Sequence, residues 1–168
     1  MNESEIIIEK LGLLPHPEGG YFKEVYRSAE EVAQSALPNR YKGSRSFATS
    51  IYFMLGANDI SHLHKVKSDE TWHFYKGQAI NLMYLDGESL KSVIIGNDLN
   101  AGQTLQFTVK ANTWFAAELV NKEEGSYGLV GCSVYPGFDF ADFVLAKIQD
   151  FFTHESDIAR THRHLFIG

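Results

Sequence analysis

Residues 56–77 read GANDISHLHKVKSDETWHFYKG. Gly56-Ala57-Asn58-Asp59 is a turn, and Ile60 to Val66 alternates as a strand. Lys67-Ser68-Asp69 turns again, and Glu70 to Tyr75 alternates as a second strand that closes at Gly77. His62 and His64 are separated by one residue, so on a strand both imidazoles share a face. An antiparallel hairpin carries Glu70 back towards them. Two imidazoles and a carboxylate then form a three-ligand face for a divalent metal with open positions. Trp72 and Phe74 share the face of Glu70, either as core or as a stacking wall for a ring-shaped ligand. His73 points away, with Thr71 and Tyr75.

The pattern extends outward from this stretch. Upstream, Tyr21 to Arg27 and Phe47 to Leu55 read as strands. Downstream follow Ala79 to Leu85, Leu90 to Ile95, Thr104 to Val109, Trp114 to Leu119 and Tyr127 to Val134, each bounded by turn residues. Many short strands at even spacing predict a sandwich or barrel. Simple alternation puts Glu24 and Arg27 on opposite faces of their strand. Glu18-Gly19-Gly20 is a turn explained by backbone geometry, without the glycine-rich loop opening a helix that cradles phosphate. Ser28 to Ser44 is polar and long enough to act as a lid. Helical spacing predicts a short helix over Glu3 to Leu14. It also predicts an amphipathic helix from Phe138 to the mid-150s, carrying Phe140, Phe143, Val144, Ile148, Phe151 and Phe152. The expected organisation is one domain over 1–168, with a barrel core over 18–136 and a C-terminal helical segment over 138–168.

Composition narrows the function classes. The formal charge is -6 over 168 residues and no run of Lys and Arg tracks a phosphate backbone, which argues against nucleic acid. The basic cluster Arg160, His162, Arg163 and His164 reads as a charged helix end. No apolar stretch approaches the roughly 20 residues of a membrane helix, and no basic, apolar leader opens the chain. A cytoplasmic location is expected. The single cysteine, Cys132, excludes an internal disulfide and reads as a buried core thiol.

At this point the sequence resembles the cupins. Gly56, His62, His64, Glu70 and Gly77 fall on the first cupin motif, although five residues separate His64 from Glu70 where three or four are usual. Over 102–119, the second motif's histidine position reads Phe115 and its asparagine position Leu119. The stretches LLPHPEGGYFKEVYRS, TSIYFML, SDETWHFYKG and VYPGFDFADF are similar, over residues 11–145, to the cupin family once catalogued as domain of unknown function 985. The resemblance implies an all-β jelly-roll barrel near the sugar-nucleotide 3,5-epimerases and seed-storage cupins. It implies that His64, Asp69, Glu70, Trp72 and His73 carry the family character more than His62 does.

Three functional expectations follow, all with a small-molecule ligand. One is an epimerase or isomerase, with His64 as base and Glu70 as its partner or as the acid, in a pocket lined by His62, Trp72, Phe74 and Phe115. Another is a divalent-metal enzyme with His62, His64 and Glu70 as ligands. The last is a binding barrel without catalysis. The aromatic excess and the resemblance also imply a homodimer.

Overall fold

The strands begin and end where turn residues interrupt the alternating pattern. The structure, a computed structural model, describes residues 2–151 and 158–167. Helix α1 (Glu3–Leu11) opens on a capping box in which the Asn2 side chain and the Glu5 side chain each accept the other's amide. It stops at Gly12, which is left-handed at φ 64°, short of the expected Leu14.

The strands are β1 (Leu14–Pro15), β2 (Tyr21–Arg27), β3 (Glu31–Val32), β4 (Arg45–Ser46), β5 (Thr49–Gly56), β6 (Ile60–Lys65) and β7 (Asp69–Gly77). They continue with β8 (Ile80–Asp86), β9 (Ser89–Ile95), β10 (Gln106–Val109), β11 (Phe115–Leu119), β12 (Tyr127–Tyr135) and β13 (Val144–Leu145). One sheet has the order β1-β2-β5-β12-β7-β10 and the other β13-β6-β11-β8-β9, while β3 pairs with β4. The all-β jelly-roll expectation holds. Phe53, Leu55, Trp72, Leu82, Phe115 and Val130 fill the core between the two sheets. No helix among the described residues is long and apolar enough to cross a membrane.

Two expectations fail. β6 and β7 are not a hairpin. β6 pairs with β11 and β13, and β7 with β12 and β10, so Val66 to Ser68 crosses from one sheet to the other. Glu70 therefore stands in the sheet opposite His64. The expected helix from Phe138 is absent as well. A single 3-10 turn (Phe140–Asp142) leads into β13, and a second 3-10 turn spans Ile148–Phe151. Phe152 lies outside the described residues. The helix is broken because its apolar side chains bury in two places. The Phe143 ring meets His64 and His16, whereas Ala146 and Phe151 pack on the outer cluster with Leu63 and Leu165.

Asp142 anchors this segment. Its carboxylate accepts Arg45 Nε at 2.7 Å and Arg45 Nη2 at 2.8 Å, and Lys67 Nζ lies 3.2 Å away. Arg45 also lies over the Tyr41 ring, and the Tyr41 hydroxyl donates to the Lys67 carbonyl at 2.8 Å. The 28–44 segment is thus tied to the barrel through the pairing of β3 with β4 and through Tyr41, which is 1% exposed. With Arg45 and Asp142 both buried, Asp142→Ala leaves a guanidinium without its partner. The expected cost is about 3–5 kcal/mol of stability, read as a lower urea midpoint.

Candidate functional site

The inner face of the first sheet is a set of cross-strand rows. Phe22 of β2 faces Phe53 of β5; Glu24 aligns with Ile51, Cys132 and Trp72; Thr49 aligns with Val134 and Glu70. A β-bulge between Glu24 and Tyr26 inserts one residue, so Arg27 returns to the face that Glu24 occupies. Simple alternation put these two on opposite faces. Instead Arg27 Nε and Nη2 donate to Glu24 at 2.9 and 2.7 Å. Arg27 also donates to the Phe138 carbonyl, from Nη1 and Nη2, both at 3.1 Å.

These rows bound a cavity of about 280 Å³. His64 and Val66 face it from the crossing strand, His16 and Glu18 from the turn before β2, and Phe138, Asp139, Phe140 and Phe143 roof it. No residue of 28–44 lines it, so the expected lid segment does not cover it; the residue that holds the roof is Arg45, just past that segment.

The turn His16-Pro17-Glu18-Gly19-Gly20 puts Glu18 inside. Gly19 has φ 109°, and a Cβ there would sit 2.0 Å from the Ile60 carbonyl oxygen. Only glycine lets the turn lie this close to β6, where the Glu18 carbonyl accepts the His62 amide at 2.8 Å. The Glu18 side chain, 6% exposed, accepts the Ser61 hydroxyl at 2.7 Å and meets His64 Nε2 at 3.1 Å.

The His64 tautomer follows from its partners. Nδ1 lies 2.7 Å from the His62 carbonyl and must donate to it, so in the neutral ring Nε2 is the acceptor. The contact with Glu18 then requires one proton, held on Glu18 in the neutral pair. Burial pushes His64 down to about 3 and Glu18 well above the usual carboxylate range, which favours this neutral form. The Glu70 charge adds to the rise of Glu18, and the Ser61 hydroxyl opposes it. Phe115 helps to dry the imidazole, with its ring centroid 4.1 Å from that of His64. Burial likewise takes His16 to about 4. Glu70 accepts Trp72 Nε1 at 3.0 Å. Burial raises it to about 7, against the hydrogen bonds from Trp72 and Cys132.

Of the sequence-predicted residues, the cavity brings together His64, Glu70 and Trp72. Phe115 lies behind His64, Phe74 packs on the core edge, and His62 Nδ1 meets the Glu18 carbonyl at 2.7 Å; none of these three lines the cavity. The partner of His64 is Glu18 rather than Glu70. His62, His64 and Glu70 do not converge, and among the described residues no three His, Cys, Asp or Glu side chains are grouped to hold a metal. These donors do not fit a three-ligand divalent-metal site. Sequence reasoning missed His16 and Glu18. A glutamate held beside two glycines in a motif-dense stretch was the available signal.

Two antiparallel sheets with a cavity between them define a protein of the cupin class. The chain belongs to the family described as Cupin superfamily (DUF985), which matches residues 5–146. It is 34% identical over 158 residues to an uncharacterised protein of Saccharomyces cerevisiae, covering 88% of this chain and 77% of that one. Among solved structures, a hypothetical protein from Leishmania major is 30% identical with a TM-score of 0.81, covering 98% of this chain and 97% of that one. A protein from Shewanella oneidensis is 31% identical with a TM-score of 0.78, covering 98% and 93%.

Two outcomes are expected here. Gly19→Ala should displace the turn and lower the melting temperature, whereas Gly87→Ala, left-handed at φ 62° but with open space around it, should cost only the backbone strain of roughly 1 kcal/mol. Glu70 supplies a pH signature. Unfolded, it ionises near its ordinary 4.5; folded, it holds its proton to about 7. Between those values the native state carries the extra proton, so this group costs stability as pH rises. Glu70→Gln removes the cost. The stability of the variant relative to the parent should therefore climb from pH 4.5 to 7, by on the order of 3 kcal/mol, then level off in urea titrations.

Proposed function

We propose that this protein is an acid–base enzyme, an epimerase or isomerase, that moves a proton beside a carbonyl in a small, sugar-like polar molecule. One observation carries the reading. A buried carboxyl, Glu70, which burial holds protonated to about 7, lines the same cavity as the buried Glu18–His64 pair. Groups whose environments push their proton affinities apart are suited to opposite roles. Ionised Glu70 takes the proton from carbon, and the carbonyl oxygen takes the proton held between Glu18 and His64, leaving an enol. Return of a proton to the neighbouring carbon gives an isomer; return from the opposite face gives an epimer. His64 thus serves with Glu18 as the acid, and its low proton affinity argues against the base role expected from sequence. Trp72 and Phe53, packed edge to face, give the cavity an aromatic floor. The cavity lies just under the roughly 300–1,000 Å³ usual for drug-sized ligands, which suits a single sugar ring.

The test is solvent exchange. Aldoses and ketoses are incubated with the protein in D2O and followed by NMR for deuterium at the carbon beside the carbonyl. Exchange should rise with pH to a plateau above about 7, because Glu70 must be ionised. It should fall roughly 100-fold or more in Glu70→Gln while binding persists. Binding without exchange makes the protein a binding barrel instead. Exchange unchanged in Glu70→Gln removes the assigned base.

A further inference from the structure

The charges around the cavity are lopsided. Four carboxyl groups, Glu18, Glu24, Glu70 and Asp139, face one cation, Arg27. Neither a lysine nor a second arginine lines the wall among the described residues. The histidines there, His16 and His64, are held neutral by burial. Arg27 is also spent. Its guanidinium donates twice to Glu24 and twice to the Phe138 carbonyl, so it has little left for a phosphate or a ligand carboxylate. The Asp139 carboxylate, by contrast, accepts the Ala141 amide at 2.8 Å and feels the charges of Arg27 and Arg45, yet forms no ion pair among the described residues. Between the carboxyls stand the aromatic side chains of Trp72, Phe53, Phe138, Phe140 and Phe143, a residue type whose ring faces attract a cation.

We infer that this cavity takes a small molecule carrying a protonated amine, and turns away phosphate- and carboxylate-bearing ones. The ammonium sits at the exposed mouth beside Asp139 and the Phe138 and Phe140 rings, which leaves Glu70 for the carbon proton. This rests on the cavity being the substrate site of the acid–base reading, and it names the substrate class as an amine-bearing carbonyl compound, such as an amino sugar. A nucleotide-linked sugar is the opposite case, because its phosphates would meet unpaired carboxylate and no free cation.

The cavity carries its own reporter. Cys132, the one cysteine of the chain, lines the wall beside Glu70. Methanethiosulfonates report access to it. The thiolate attacks the sulfenyl sulfur, a disulfide forms, methanesulfinate leaves with the electron pair, and the thiol proton goes to solvent. The full-length protein is treated with the 2-aminoethyl (cationic) and 2-sulfonatoethyl (anionic) reagents. Each rate is divided by that of the same thiol in the urea-unfolded chain. The resistance of the buried thiol to ionisation is common to both reagents and cancels in the ratio. The cationic reagent should lead by tenfold or more at low salt, and Asp139→Asn should shrink that lead at least threefold. A ratio of one or below, a ratio unmoved by Asp139→Asn, or no labelling by the cationic reagent would each overturn the inference. Because no substrate enters this experiment, its failure is separable from that of the exchange test. Charge selection without exchange leaves a cation-binding barrel, whereas exchange without charge selection leaves an enzyme of a different substrate class.

Discussion

Any polar group trapped between the two sheets must be neutral or paired, and this constraint shapes the site. A lone charge there has no solvent to screen it, and its cost exceeds what a small domain can spare. Glu18 meets the constraint by sharing a proton with His64 and accepting the Ser61 hydroxyl. His64 meets it by donating to the His62 carbonyl. Glu70 has weaker support, a Trp72 indole and a thiol, so it holds its proton to about 7. The difference between a well-supported pair and a poorly supported single carboxyl is what gives the cavity chemical range. Filling it with hydrocarbon would make a better core and remove that range.

The roof obeys the same rule with a different solution. Phe138 to Phe143 covers the cavity with aromatic rings, held at its ends by the Gly137 amide donating to the Ser46 carbonyl at 2.7 Å and by β13 pairing with β6. Three tethers involving side chains add to these: Arg27 on the Phe138 carbonyl, the Thr49 hydroxyl accepting the Phe138 amide at 2.9 Å, and Arg45 with Lys67 on Asp142. Each tether comes from a different part of the chain. Arg45, whose guanidinium lies over the buried Tyr41 ring, links one of these tethers to the folded 28–46 segment.

The strands were legible because alternation and turn residues are local signals, and most strand bounds fall within two residues of those read from sequence. What was lost is long-range. The first motif contains a turn, and a turn of that length serves a hairpin or a crossing between sheets equally well. Only the pairing of β6 with β11 separates the two. The bulge beside Glu24 has no local signature, and one extra residue inverts the facing of everything after it. Glu18 was hidden for a related reason. The glycines predict a turn, but the strand that the turn packs on lies some forty residues away. The C-terminal helix was misread because Phe and Ile at helical spacing also fit a chain that feeds two separate apolar clusters.

The stretches that carry the family resemblance are also the cavity wall. All of its lining residues except His64, Val66 and Cys132 fall within those four stretches. Their shared property is therefore the cavity more than the barrel around it. Phe115 makes the same point from the other side. It stands where the second cupin motif has a histidine, it pairs with His64 across β6 and β11, and its ring packs against the imidazole. A metal-ligating side chain there would keep His64 polar and oriented towards an ion. A phenyl ring instead dries it and leaves Glu18 as its polar partner at Nε2. With a phenyl ring at 115 and the Glu18 carboxyl at Nε2, the imidazole is placed to share a proton.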